Sequence, residues 1–553
     1  MSLPNQAQVV IAGGGPCGLM LANELGRRGI SVVLVDEKAS TAFNPQANAT
    51  QARTMEHYRR LGFANEIRSQ GLPGEYPTDI AYFTRFANHE LARFQLPSAR
   101  QAGDVVKTLA GSWSAAELPH RVSQKFVETI LRRHAEALPG VSVNYGWRLV
   151  SFNQNESGVS VTVQRVADGH TQELRGFYLV GADGPRSKVR EALGFGYTGE
   201  TGVRRDFMGG RMCAVYLRAP DFYRLVPHPA AWMYVTFNQD RRTFMAAVDG
   251  KGEFAFHTQL RPGEDEDSIT DDMARGMFWR AAGVEMETEI LARGAWTAGH
   301  ALVSDGFQKG RVFIGGDAAH LFTPAGGLGY NTAIEDAVNL GWKLAAVLKD
   351  KGGSHLLATY QAERQPLARR NTNYARSFAD SLGNYAAPAE IEQADEAGAD
   401  ARAEAGVYFN AHARREFNIP GVTFGGRYDA SPLIYGDGTS PPPDLPNEYV
   451  PTACPGGRPP HAWLEDGRSL YDLFGFEWTL LNLDPAFDPL PFARAAESLG
   501  IQLEIVRLDR PDLRDLYEAP FALIRPDQIV AWRGRDASLA DKVLRCVSGY
   551  GAA

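Results

Sequence analysis

Residues 8–37 admit few folds. Gln8 to Ala12 is a short apolar run, the pattern of a parallel strand buried on both faces. Gly13-x-Gly15-x-x-Gly18 follows, and Leu19 to Gly29 carries apolar residues at helical spacing. Ser31 to Val35 is a second β-branched run, ending at Asp36-Glu37. Strand, glycine turn, helix and strand form a βαβ unit whose physics favours a dinucleotide. The glycines let backbone approach a pyrophosphate. The helix start at Pro16 offers free N–H groups and the positive end of a dipole. Asp36, 18 residues after Gly18, stands where a carboxylate accepts the ribose hydroxyls of an adenosine, and Glu37 is the fallback.

Composition narrows the class. The 553 residues are 44% hydrophobic and 22% charged, which excludes a disordered chain, a coiled coil and a fibre. A net charge of −8 does not give the field of a nucleic-acid binder. Cys17, Cys213, Cys454 and Cys546 form no CxxC pair and no cluster. No disulfide framework, zinc site or iron–sulfur site is expected, and a cytoplasmic setting is. No apolar run reaches membrane-spanning length, and Met1 to Gln8 lacks the parts of a signal peptide, so no membrane partner is expected.

Further along, helical spacing covers Gln51 to Gly62 and Arg121 to Leu138. Val141 to Val166 alternates as antiparallel strands do and ends in the turn Asp168-Gly169. Phe177 to Val180 and Arg311 to Ile314 read as buried parallel strands, and Tyr330 to Leu348 as a long helix. Residues 205–260 are rich in strand signals, with Arg241-Arg242 read as a solvated turn. Residues 355–415 read as helical, and 431–460, with Ser440-Pro-Pro-Pro443, as a linker or extended arm. The expected class is α/β, with a discontinuous nucleotide-binding domain over 1–75, 105–184 and 290–380. A substrate-binding sheet domain takes 76–104 and 185–289, a helical segment and proline-rich linker 381–460, and a small α/β domain 461–553.

One glycine turn does not separate NAD from FAD, but two later motifs do. Arg311 to Ile314 leads into Gly315-Gly316-Asp317, then Pro324, Gly327, Gly329 and Asn331 open the long helix. An aspartate at a strand end beside a second helix N-terminus suits a polyol chain and a flavin ring. The third motif is Gly181-Ala-Asp183-Gly184, followed by Arg186, Lys188 and Arg190. With these three motifs in this order, the chain resembles the single-component FAD-dependent aromatic hydroxylases of the para-hydroxybenzoate hydroxylase and phenol hydroxylase superfamily. The resemblance spans roughly residues 6–380. Residues 461–553, with Asp466-Gly467 and Leu523 to Trp532, resemble the thioredoxin-like C-terminal domain of the phenol hydroxylase branch, without its redox CxxC. The implied fold is a Rossmann-like FAD-binding domain with an inserted antiparallel-sheet substrate domain and this thioredoxin-like domain.

The resemblance implies FAD as cofactor, NADPH or NADH as electron donor, O2 and a small aromatic substrate; the C-terminal domain and the proline-rich arm suggest a homodimer. It implies hydroxylation of a phenolic ring through a flavin C4a-hydroperoxide. Residue by residue, Asp36 matches the ribose-binding acid, and Arg53 an arginine near the FAD and the active-site entrance. Arg121 and Gln124 match an R-x-x-Q pattern near the ribityl chain. Asp183 matches an acid implicated in FAD and NAD(P)H binding, and Asp317 the ribityl-binding acid. Pro324 to Asn331 matches the loop against the isoalloxazine ring. Phenol hydroxylases carry an aspartate where this chain has Asn48, an amide that hydrogen-bonds but cannot take a proton. His320, Tyr234, His257, Asn48 and Pro324 are the candidates for the reacting ring. Cys17 reads as a small filler in the glycine turn. A tailoring enzyme of the same fold, performing epoxidation or Baeyer–Villiger insertion on a polycyclic natural product, is the alternative. A non-catalytic flavin sensor or scaffold is the alternative from another class.

Overall fold

The computed structural model describes residues 3–201, 210–261, 263–264 and 268–551, so residues 205–209 of the expected strand-rich stretch lie outside it. Two layers of structure face one cleft. The first is a six-stranded sheet in the order Gln308–Lys309, Val312–Ile314, Tyr178–Gly181, Val9–Ala12, Val32–Asp36, Val141–Tyr145. Its strands run parallel apart from the Gln308–Lys309 edge. Val9–Ala12 lies at its centre with all four residues buried, which is why it reads as an unbroken apolar run. Helices Pro16–Arg27, Gln124–Glu136 and Leu328–Leu348 cover it.

Val141–Tyr145 departs from the antiparallel expectation. It is a parallel edge strand beside Val32–Asp36, and only Trp147–Gln154, Val159–Arg165 and Thr171–Gly176 form the antiparallel sheet. Alternation cannot distinguish the two, because an edge strand is also half-covered.

The second layer is a seven-stranded sheet ordered Glu289–Ala298, Gly210–Arg218, Glu253–Gln259, Thr243–Ala247, Met233–Thr236, Ile80–Phe83, Glu90–Phe94. One face carries Tyr234, Phe83, Phe254 and Phe256 into an aromatic core with Phe222 and Phe278. The opposite face carries Met233, Val235, Phe244, His257 and, on the last strand, Trp296. Tyr216, on this same face, accepts from Lys125 of helix Gln124–Glu136 at 2.6 Å and meets the Phe43 ring at 5.6 Å, so this face is turned to the nucleotide-binding layer. Arg241 is not the solvated residue expected. It is buried and donates to Glu264 at 2.5 Å and to the Gln259 carbonyl at 2.9 Å.

Helix Glu396–Phe417 packs on the same sheet, with Phe409 stacked 4.8 Å from Tyr82 and 4.5 Å from Phe237. Residues 431–460 are not a free linker. Tyr449 and Cys454 are buried, and Arg458 is sunk against Glu56 at 2.6 Å. The prolines rule out regular structure there, yet the strap buries its side chains between layers.

The C-terminal sheet runs Leu503–Arg507, Trp478–Asn482, Phe521–Ile524, Val530–Gly534, with one parallel and two antiparallel pairs, and carries helices Leu490–Ser498, Pro511–Tyr517 and Ala540–Val547. This is the thioredoxin-like order, and Cys546 within it is a free thiol. Among the described residues, no helix is long and apolar enough to cross a membrane, and no group of side chains could hold a metal ion.

Candidate active site

The cleft begins at the first glycine turn. Gly13 has φ +115°, and a Cβ there would sit 2.0 Å from the Ala182 carbonyl oxygen. At Gly18 a Cβ would lie 1.9 Å from the Gly13 carbonyl oxygen. Gly15, by contrast, opens on free space and caps helix Pro16–Arg27 without any side-chain bond. The first-turn N–H groups therefore face an open hollow, which is the chemistry of a pyrophosphate site. Asp36 accepts the Gly14 N–H at 2.6 Å and the Lys38 N–H at 2.8 Å, which anchors it beside that hollow. Glu37, one residue on, is exposed.

Asp317 lies on a tight turn after the Val312–Ile314 strand, opposite the same helix start. Its side chain is open to the cleft, while surrounding protein pushes its carboxyl up from the ordinary value. A Cβ at Gly316 would stand 3.1 Å from the Cys17 Cβ, so Cys17 fills the seam between the two glycine turns. Burial and the charges of Asp336 and Asp317 push its thiol well up, against any activation by the helix start.

Asp183 accepts from Ser187 Oγ at 2.5 Å and from the Val189 N–H at 3.2 Å, fixing the start of helix Lys188–Leu193. Arg190 of that helix donates to Tyr197 Oη at 2.8 Å and lies 4.1 Å over its ring. Tyr197 Oη in turn donates to the Asp317 carbonyl at 2.7 Å. The two acidic motifs are thus joined through Tyr197, which no sequence signal marked.

At the far end, helix Leu328–Leu348 also starts without a side-chain cap, from Gly327 at φ +64°. Pro324 is exposed at the loop's beginning, and Gly329 packs on Phe322. Asn331 accepts the Gln51 N–H at 2.8 Å and donates to the carbonyls of Ala49 and Gly327 at 3.0 and 2.6 Å. Gln51 returns a bond to the Gly326 carbonyl at 2.8 Å, and Glu416 accepts the Gly326 N–H at 2.9 Å. Gln51 and Glu416 were missed because each acts on a loop remote in sequence. Asn48 lies beside this loop with its side-chain oxygen buried and unpartnered. Gln124 begins its helix with its N–H on the Ala47 carbonyl at 2.7 Å and its amide on Glu128 at 2.6 Å.

Four expected residues stand elsewhere. Arg53 turns away from the cleft, donating to Glu56, to the carbonyls of Asp527 and Gln528 and to the Gln528 side chain at 2.9–3.1 Å. A buried guanidinium needs all its donors met, and the C-terminal domain meets them. Arg121 lies over Trp232 at 4.4 Å and near Phe417, with burial pulling it down to about 10. It therefore meets the substrate sheet, with Glu416, which accepts the Gly326 N–H, among the charges that act on it. His320 is fully buried, with Nε2 2.6 Å from Asp336, which also takes Arg364 at 2.8 Å and the Gly316 N–H at 3.1 Å. It braces the Gly316 turn and does not reach the cleft. Tyr234 points to the aromatic core, its hydroxyl accepting the Ala231 N–H at 2.9 Å. His257 alone of the sheet candidates faces the cleft.

The residues present suit FAD. Two uncapped helix starts, the open space at Gly15, the open Asp317 carboxylate and the unmet Asn48 oxygen lie along one cleft.

Comparison with known proteins agrees. A family described as FAD binding domain matches residues 6–375, and one described as aromatic-ring hydroxylase, C-terminal, matches residues 452–549. Phenol 2-monooxygenase of Pseudomonas sp. (strain EST1001) is 30% identical, over 96% of this chain and 90% of that protein. Aklavinone 12-hydroxylase RdmE of Streptomyces purpurascens is 29% identical, over 97% of this chain and 96% of that protein. The structure of the rebeccamycin biosynthetic enzyme RebC with reduced flavin superposes with a TM-score of 0.88 at 31% identity, over all of both chains. The chain therefore belongs to the FAD-dependent aromatic-ring hydroxylases, monooxygenases that draw on NAD(P)H and O2.

Proposed function

We propose that this chain hydroxylates a phenolic ring held between the Pro324–Asn331 loop and the face of the seven-stranded sheet that carries His257. The observation that carries the reading is that face itself. Met233, Phe244 and Trp296 are half-buried apolar side chains on the face turned to the nucleotide-binding layer, which carries the loop that fits a flavin ring. Such side chains suit a flat aromatic substrate and exclude water. When bound, FAD passes two electrons from NAD(P)H to O2, one atom of which enters the ring while the other leaves as water. The protein's own part is placement. The Gly13–Gly18 turn and Asp36 bind the adenosine diphosphate end, and Asp317 binds the polyol. Gln51, Asn331 and Glu416 fix the loop at the ring. No base is supplied by Asn48, an amide, so the substrate's hydroxyl must be acidic or be met by a group on the sheet.

A natural-product substrate gains weight from the full-length likeness to RebC, a rebeccamycin biosynthetic enzyme. A homodimer belongs to the same proposal. Turnover under labelled O2 with a panel of naphthols and hydroxyanthraquinones tests it. One labelled oxygen in a hydroxylated product is expected. A ring-expanded or epoxide product, or no label, overturns it.

A further inference from the structure

On the face of the sheet turned to the nucleotide-binding layer, one polar side chain is left with a donor to spare. His257 stacks on Phe244, ring centroids 4.4 Å apart and 9° from parallel, and meets Trp296 edge-on at 5.9 Å. Trp296 Nε1 lies 3.2 Å from His257 Nδ1. An indole N–H can only donate, so Nδ1 must offer its lone pair. Burial alone pulls the ring's pKa down to about 4, which keeps the imidazole neutral at physiological pH. The single ring proton is therefore on Nε2. That nitrogen has no partner among the described residues, although the side chain is 91% buried (9% exposed). It also differs from the ring nitrogens of His57, His120 and His320, which are sealed in the core without partners. Phe244 and Trp296 fix the ring's plane and its tautomer together, so the donor has a fixed direction.

Resting on the hydroxylase reading above, we propose that His257 is the specificity-determining residue of the sheet. Its Nε2–H reads an acceptor oxygen conjugated with the substrate's ring, a ring carbonyl. A fixed neutral donor favours a carbonyl over a bare phenol, whose own O–H has to turn away to accept. The same carbonyl answers the missing base at Asn48. A hydroxyl conjugated with a carbonyl is already more acidic, and a donor at the carbonyl spreads the charge as the hydroxyl loses its proton. His257 cannot be that base, because its one free lone pair is taken by Trp296. The site is thus built for a hydroxylated aryl ketone or quinone rather than for a simple phenol.

The test uses the FAD-loaded full chain without NAD(P)H, titrated by calorimetry with 2-hydroxy-9-fluorenone and 2-hydroxyfluorene. The two differ by the ring carbonyl. The wild type is expected to bind the ketone at least about ten-fold more tightly, which corresponds to about 1.4 kcal/mol. His257→Phe keeps the stack, and should lose the preference while its affinity for 2-hydroxyfluorene stays within about three-fold. His257→Gln keeps it, because the amide oxygen takes the Trp296 N–H and the amide nitrogen donates. Trp296→Phe frees the tautomer and should weaken the preference with His257 untouched. A wild type without the preference, or a His257→Phe protein that retains it, overturns the proposal. Failure of the hydroxylase reading looks different, because labelled oxygen then never appears in product whatever the binding ratio.

Discussion

Asp317 on the Gly316 turn and Asp336, the helix carboxylate that accepts the Gly316 N–H, have opposite fates. Asp317 is open to the cleft with burial raising its pKa, whereas His320 and Arg364 hold Asp336 below the ordinary value. Asp317→Ala should fold normally and lose FAD on gel filtration, with the bound flavin absorbance reporting the loss. Asp336→Ala should instead destabilise the fold by about 3–5 kcal/mol, because it leaves Arg364 buried with one fewer carboxylate. A melting curve of the apo protein separates the two. Cys17, with its thiol pushed well up, should remain unalkylated by iodoacetamide at pH 8 in peptide mapping, and a modified Cys17 would contradict its burial. The position of Asp36 and Asp317 was legible because each follows its glycine turn directly. Arg53 was not, since its partners Asp527 and Gln528 lie 474 and 475 residues away. Tyr234 and His257 carry the same strand signal, and only the sheet's register decides which of them meets the cleft.

The elements that matter most are two helix starts left without caps. Helix Leu328–Leu348 is tied to the cleft by Gly327, where a Cβ would stand 3.1 Å from the Ala49 Cβ at φ +64°. Gly327→Ala should cost about 1–2 kcal/mol from the left-handed backbone alone. It should also loosen flavin by pressing on Ala49, seen as faster FAD release in a fluorescence chase. The glycine turns and the long helix were readable because their signals are local. The Val141–Tyr145 strand and the 431–460 strap were not. Edge alternation looks the same in either kind of sheet, and a proline-rich composition says nothing about whether a segment is packed.

Across the whole molecule, the C-terminal domain is locked to the flavin-binding layer by buried charge. Glu363 takes Arg525 at 2.7 and 2.8 Å, Lys343 at 2.6 Å, Asn339 at 2.7 Å and Ser431 at 2.6 Å, all fully or nearly buried. These cations hold the Glu363 carboxyl well below its ordinary value. Such a depressed carboxyl contributes its full stability above the unfolded value of about 4.3 and loses it as pH falls below that. Acidification below about pH 4 should therefore begin to weaken the hold on the C-terminal domain and release it only at much lower pH, read as new proteolysis within 431–452, and Arg525→Met should bring that release to neutral pH. Protection that is unchanged in acid would contradict the lock. Anaerobic mixing of the FAD-loaded chain with NADPH or NADH tests most directly what the cleft between these layers does. Loss of flavin absorbance that is accelerated by a hydroxylated aromatic ketone is the predicted result. A flavin that neither nucleotide reduces, with or without that ligand, would contradict it.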